Sequence, residues 1–211
     1  MAANRRLGVL LSGRGSNLQA IIDAIAERRL DAAIAVAISN QKNAGGLERA
    51  RRVGIETLTL SHRGWPARDD YDRALVSELR KRNVGLVCLA GFMRKVGAPL
   101  IDAFPNSVLN IHPSLLPYHP GANAYKQAFE EGCRVSGCTA HFVTEHLDQG
   151  PVVLQDVFHI RVGEDTLDAV RTRGQELEGK VLSQAVQLFA ADQLVVKDKK
   201  VIFRPGHITA S

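Results

Sequence analysis

Cysteine is scarce in this chain: its 211 residues include three, Cys88, Cys133 and Cys138, without a C-x-x-C pair. An odd number at such spacing argues against a disulfide framework or a paired-cysteine zinc site, and predicts free, packed thiols in a reducing compartment. Aromatic residues are 5% of the chain, with one tryptophan. That is too few to interleave with the basic clusters Arg28–Arg29, Arg49–Arg52 and Lys197–Lys200 as a nucleic-acid surface requires, so these read as solvated faces. The net charge of +5 and pI near 9.3 then favour small anionic ligands. Long apolar runs are also missing. Ala32–Ser39 and Gly85–Ala90 are too short to span a bilayer, and Met1–Arg6 leads into a strand pattern without a signal-peptide core. A soluble, cytoplasmic protein with no membrane or nucleic-acid partner is expected.

What is present is a β-α rhythm. The apolar run Arg6–Leu11 enters Ser12-Gly13-Arg14-Gly15-Ser16-Asn17, after which Leu18, Ile21, Ile22 and Ile25 recur at helical spacing. Strand patterns at Ala32–Ile38, Glu56–Leu60, Gly85–Ala90 and Ser107–Ile111 alternate with helical patterns near Leu47–Arg52 and Ala67–Arg82. Such alternation predicts an α/β fold: a Rossmann-like, mostly parallel twisted sheet with helices on both faces. Beyond Pro120 a helix near Ala124–Glu131 precedes β-rich runs at Gly137–Thr144 and Pro151–Val162, an antiparallel extension of the sheet. A helix over Thr166–Asp192 and a hairpin joining Leu194–Val196 to Lys200–Phe203 complete the pattern. No repeat, low-complexity tract or linker interrupts it. One domain over 1–211 is expected, with 1–106 as the phosphate-binding half and 107–211 as the catalytic half.

The glycine loop suits a single phosphate. Gly13 and Gly15 permit positive φ and close backbone approach, and Ser16 with Gln19 makes a capping-box pattern at a helix start. Backbone amides and the positive helix end converge there, with Ser16 and Asn17 as added donors. A dinucleotide site needs a third glycine, where Leu18 stands, and an acidic residue after the second strand, where Ser39-Asn40 stands. No Gly-Lys-Ser/Thr follows, so a Walker loop is excluded as well.

The richest segment is Val108–Pro117. Period-two geometry puts Asn110 and His112 on one face at a strand's carboxyl end, where open α/β sheets bind ligands. An amide can donate to a developing oxyanion, and an imidazole can exchange a proton near neutral pH. Asp148, in the turn-like Leu147–Pro151, is a carboxylate able to orient that imidazole. Read alone, a satisfied core histidine and an Asx-turn aspartate fit these positions equally well. His119, His141, His146 and His159 are expected to be structural or solvent-facing. No tight ligand cluster accompanies His112, so no metal is expected at this site.

Ser12–Ala20, Ala90-Gly91-Phe92-Met93-Arg94, Asn110–Pro117 and Asp148–Pro151 together resemble the motifs of the phosphoribosylglycinamide formyltransferases, and the similarity covers nearly the whole chain. The Asn-x-His string with a later Asp-x-Gly is shared with other transferases and hydrolases of 10-formyltetrahydrofolate. The resemblance implies formyl transfer from that folate co-substrate to the amine of glycinamide ribonucleotide in purine biosynthesis, with Asn110, His112 and Asp148 as the catalytic trio. It places the ribonucleotide phosphate on Gly15, Ser16 and Asn17 and its amine near Glu176, with Glu178 competing for that position. Folate would lie along Met93, Arg94, Lys95 and Val96 and reach Thr144, Glu145, His146 and Leu147, and Arg94 suits a glutamate-tail carboxylate. Many members carry histidine where this chain has Asn123, so a secondary contact to Asp148 is expected to differ. A monomer or homodimer is expected. Two competing readings, a methionyl-tRNA formyltransferase and a formyltetrahydrofolate hydrolase, are disfavoured by the short tail after Val195 and the glycine loop's place near Met1. A third, a non-catalytic nucleotide- or folate-binding module, has no need of the trio.

Overall fold

The computed structural model describes residues 4–204. The tail beyond Arg204 and the first three residues, on which the expectations about a leader and a further domain partly rest, lie outside the described residues.

Seven strands form one sheet in the order β3-β2-β1-β4-β5-β6-β7. Strands β1 (Arg6–Leu11), β2 (Ala33–Ser39), β3 (Thr57–Thr59), β4 (Leu86–Leu89) and β5 (Val108–His112) run parallel. Strands β6 (Val135–Phe142) and β7 (Val152–His159) are the antiparallel extension. The hairpin of β8 (Leu194–Lys197) and β9 (Lys200–Phe203) is a separate two-stranded sheet. No helix among the described residues is long and apolar enough to cross a membrane.

Both sheet faces are covered, and the strands are accordingly apolar on both sides. Leu7, Val9 and Leu11 of β1 join one core with Leu18, Ile21 and Ile22 of α1 (Ser16–Ala26), Leu47 of α2 (Gly45–Arg52) and Val181, Leu182 and Val186 of α6 (Leu167–Ala190). Leu10 points the other way, into a second core with Tyr71, Leu75 and Leu79 of α3 (Arg68–Lys81) and Leu100 of α4 (Ala98–Ala103). The short α4 carries no sequence prediction, because six residues are too few to display a helical period. A smaller cluster joins α5 (Ala124–Glu130) to α6 through Tyr125, Ala128 and Val170.

Strand order reverses between β1 and β4: from β1 the chain builds outward through β2 and β3, then crosses back to β4. The loops after these two strands therefore diverge and leave a crevice at their carboxyl ends. Ser12 ties the two together. Its N–H donates to Gly91 O at 3.1 Å, and its Oγ accepts the Met93 N–H at 2.8 Å.

Candidate active site

Position along β5 creates the site. Val108, Asn110 and His112 share a face by strand alternation, and Val108 sits in the α3/α4 core. Two residues further on, that helical cover ends and the same face opens into a cleft of about 460 Å³. Asn110, His112 and Asp148 all line it, so the structure brings the three predicted residues together.

Asp148, with its side chain 6% exposed, holds a positive φ of 53° in the loop between β6 and β7. Its Oδ2 accepts the Gly121 N–H at 2.9 Å and lies 3.4 Å from His112 Nδ1. The other imidazole nitrogen, Nε2, is 2.9 Å from the His119 carbonyl. Both ring nitrogens thus face oxygens, the His119 carbonyl at hydrogen-bonding distance and the Asp148 carboxylate as a nearby charge. Asn123 lines the same cleft, and the backbone of Gly121 supplies the bond to Asp148.

His141, expected to be structural or solvent-facing, belongs to this network. The β5–β6 register sets it directly opposite Asn110, and Asn110 Nδ2 is 3.1 Å from His141 Nε2. His141 Nδ1 is 3.1 Å from the Phe142 carbonyl. Burial lowers its affinity for a proton below the ordinary histidine value, opposed by the Phe142 carbonyl and the Asp148 charge. The neutral ring then donates from Nδ1 and accepts from Asn110 at Nε2, which orients the amide and leaves its second N–H for the cleft. The pairing depends on antiparallel register, so it has no local sequence signal.

The glycine loop differs from expectation in three details. Gly15, at φ 76°, is itself the N-cap of α1, and Gln19 bonds forward to Asp23 at 2.8 Å, so the Ser16/Gln19 capping box is not formed. Gly13 is not among the positive-φ glycines. A Cβ on Gly15 would lie 2.4 Å from Gly46 Cα, so close packing on α2 also requires glycine. Asn17 is 5% exposed and turns its amide inward, donating from Nδ2 to Glu178 Oε2 at 3.0 Å. Its side chain therefore faces α6, while the free amides of the first helical turn remain open to an anion.

The structure separates the two glutamates that sequence left in competition. Glu176 is exposed, whereas Glu178 accepts from Asn17 and, at 3.0 Å, from the Tyr125 hydroxyl. Burial raises the Glu178 carboxyl above its ordinary value, against the lowering effect of those two donors and of nearby His112. Helical periodicity identifies Glu178 only once the buried face of α6 is known.

Along the other wall, Met93, Arg94, Lys95, Val96, Thr144, His146 and Leu147 line the cleft, and Glu145 is exposed away from it. Arg94 sits 5.3 Å over the Tyr71 ring, and among the described residues no carboxylate pairs with it. Buried Asp72 pins the end of this loop, its Oδ2 accepting the Gly97 N–H at 2.6 Å.

A glycine loop at a sheet's switch point, with a cleft that gathers Asn, His and Asp at the strand carboxyl ends, defines a class: α/β proteins of the doubly wound kind, whose ligand clefts lie outside those ends. The formyl transferase family matches residues 5–186. The chain is 41% identical over 186 residues to the phosphoribosylglycinamide formyltransferase of Escherichia coli (strain K12), covering 88% of this chain and 87% of that one. It is 42% identical over 186 residues, 88% of its length, to the trifunctional purine biosynthetic protein adenosine-3 of Homo sapiens, but spans 18% of that longer protein. Among solved structures, glycinamide ribonucleotide transformylase 1 from Symbiobacterium toebii superposes with a TM-score of 0.91 at 46% identity, covering 94% of this chain and 93% of that one. The chain belongs to the formyl transferase family.

Proposed function

We propose that this protein transfers the formyl group of 10-formyltetrahydrofolate to the amine of glycinamide ribonucleotide, a step of purine biosynthesis. The observation that carries this reading is that Asn110, His112 and Asp148 share one cleft with Met93–Val96, Thr144, His146 and Leu147, while Glu178, close enough to feel the charge of His112, is bonded to Asn17 of the glycine loop. The phosphate rests on the first-turn amides of α1, and Glu178, in place of Glu176, faces the ribonucleotide. Folate occupies the cleft, with Leu89, Phe92, Val96 and Val143 as apolar walls and Arg94 free to meet a carboxylate.

In the reaction, the substrate nitrogen forms a bond to the formyl carbon and the carbonyl oxygen takes up negative charge. The second N–H of Asn110 donates to that oxygen, and the His112 ring, held by the His119 carbonyl at Nε2 and facing Asp148 at Nδ1, stabilises it by charge when protonated. A donor of this kind contributes about 3–4 kcal/mol in a water-poor site. Collapse breaks the bond to the folate nitrogen, and Asp148 relays the proton from the attacking nitrogen to the leaving one.

The test is folate release followed by absorbance, with and without glycinamide ribonucleotide. Release that requires the ribonucleotide, with formylated product recovered, is the expected result. Release without it identifies a hydrolase, and no release in either case identifies a binding module.

A further inference from the structure

A second group of reactive side chains lies behind the cleft. His119 ends the Ser114–Tyr118 turn, which is closed by the Ser114 hydroxyl on the Tyr118 carbonyl at 2.6 Å. Its backbone is fixed at φ 50°, with its carbonyl holding His112. Its ring leads away from the cleft, where Nε2 lies 2.8 Å from Glu131 Oε2. Just past α5, Gly132 takes φ 71°, and the Cys133 N–H folds back onto the Ala128 carbonyl at 3.0 Å. That helix-ending turn returns Cys133 toward His119. The imidazole nitrogen, carboxylate oxygen and thiol sulfur all lie within 4.8 Å of one another.

A surface histidine–glutamate pair needs no thiol beside it, and a packed cysteine needs no carboxylate. Three different donors on one spot match the chemistry of a borderline-soft cation. Metal–ligand bonds of about 2.0–2.3 Å place tetrahedral donors roughly 3.4–3.6 Å apart. To reach that spacing the exposed Glu131 carboxylate would move out from its 2.8 Å contact with His119 and the Cys133 side chain would turn in, on backbones already in place. Thiolate with imidazole selects the zinc class over magnesium or calcium, which take oxygen ligands.

We propose that His119, Glu131 and Cys133 bind a divalent cation of the zinc class, with water in the fourth position, outside the reaction cleft. The other two thiols, Cys88 and Cys138, are wholly buried and offer no alternative sulfur ligand. The ion would stiffen the turn whose carbonyl orients His112.

The test uses the full-length, chelator-treated, reduced protein titrated with cobalt(II), and needs no turnover. A thiolate-to-cobalt charge-transfer band that zinc(II) displaces is expected. Cys133→Ser should abolish the band, and His119→Ala and Glu131→Gln should each weaken binding by ~10-fold or more. No band in the parent protein, a band surviving in Cys133→Ser, or unchanged affinity in either other variant overturns the proposal. Glu131 is exposed, so its variant keeps the test valid should His119→Ala disturb the turn.

Discussion

Asp148 sits between two imidazoles, His112 at 3.4 Å and His141 at 3.8 Å, with the Gly121 amide as its hydrogen-bond donor. Asp148→Asn keeps the shape but removes the charge and one acceptor, so kcat should fall ~10²–10⁴-fold, the range of acid–base contributions. Asn110→Ala should lower kcat by ~10²–10³-fold. Steady-state kinetics beside thermal melting checks both, and a melting temperature that falls in step with kcat would sink the catalytic reading. Glu178 and Asn17 make the opposite prediction for stability. Asn17 Oδ1 is buried without a partner among the described residues, and Glu178 is a buried carboxylate that holds its proton above the ordinary value. Its raised value contributes stability that is fully present below the unfolded value near 4.5 and is lost as pH rises through the folded one. Glu178→Gln should therefore raise the melting temperature at pH 7.5 by about 2–4 °C, the shift that ~1 kcal/mol produces in a chain of this size. The gain should shrink toward pH 4.5 while ribonucleotide KM rises. An unchanged melting temperature at both pH values would remove the strain assigned to this carboxylate.

At the scale of elements, the loops after β1 and β4 are coupled through one hydroxyl. Ser12 Oγ donates to Asn40 Oδ1 at 2.6 Å and accepts from Met93 N–H at 2.8 Å, so the loop after β1 positions the loop after β4. Ser12→Ala removes both bonds. A net hydrogen bond is worth about 1 kcal/mol, so KM for the folate co-substrate should rise about fivefold with kcat nearly retained. A loss confined to ribonucleotide binding would show that the two loops act separately. The same scale explains α6, whose Gly174 allows Tyr125 to lie flat against it: a Cβ there would be 2.3 Å from the tyrosine Cζ. That close approach carries the Tyr125 hydroxyl to Glu178, joining α5 and α6.

For the whole molecule, pH acts on the junction between the parallel and antiparallel parts of the sheet. His141, 2% exposed on β6, resists protonation when folded because burial disfavours its charged form. As pH falls below about 6.5, the unfolded chain takes up a proton that the folded chain refuses, so stability declines until the folded value is reached. Melting temperatures from pH 7.5 to 5 should fall, and His141→Asn should flatten part of that slope. An identical slope in the variant would assign the acid sensitivity to other groups. Local signals were enough to read the parallel sheet, the glycine loop and the Asn110/His112 face, because strand alternation and β-α rhythm are short-range properties. By itself the sequence determined which side chains of suitable chemistry stand at the strand ends. Only the tertiary structure decided which side chains meet: β5–β6 register put His141 on Asn110, the packing of α6 turned Glu178 to Asn17 and left Glu176 exposed, and a helix-ending turn brought Cys133 to His119. Those choices depend on contacts between segments distant in the chain, which no local period encodes.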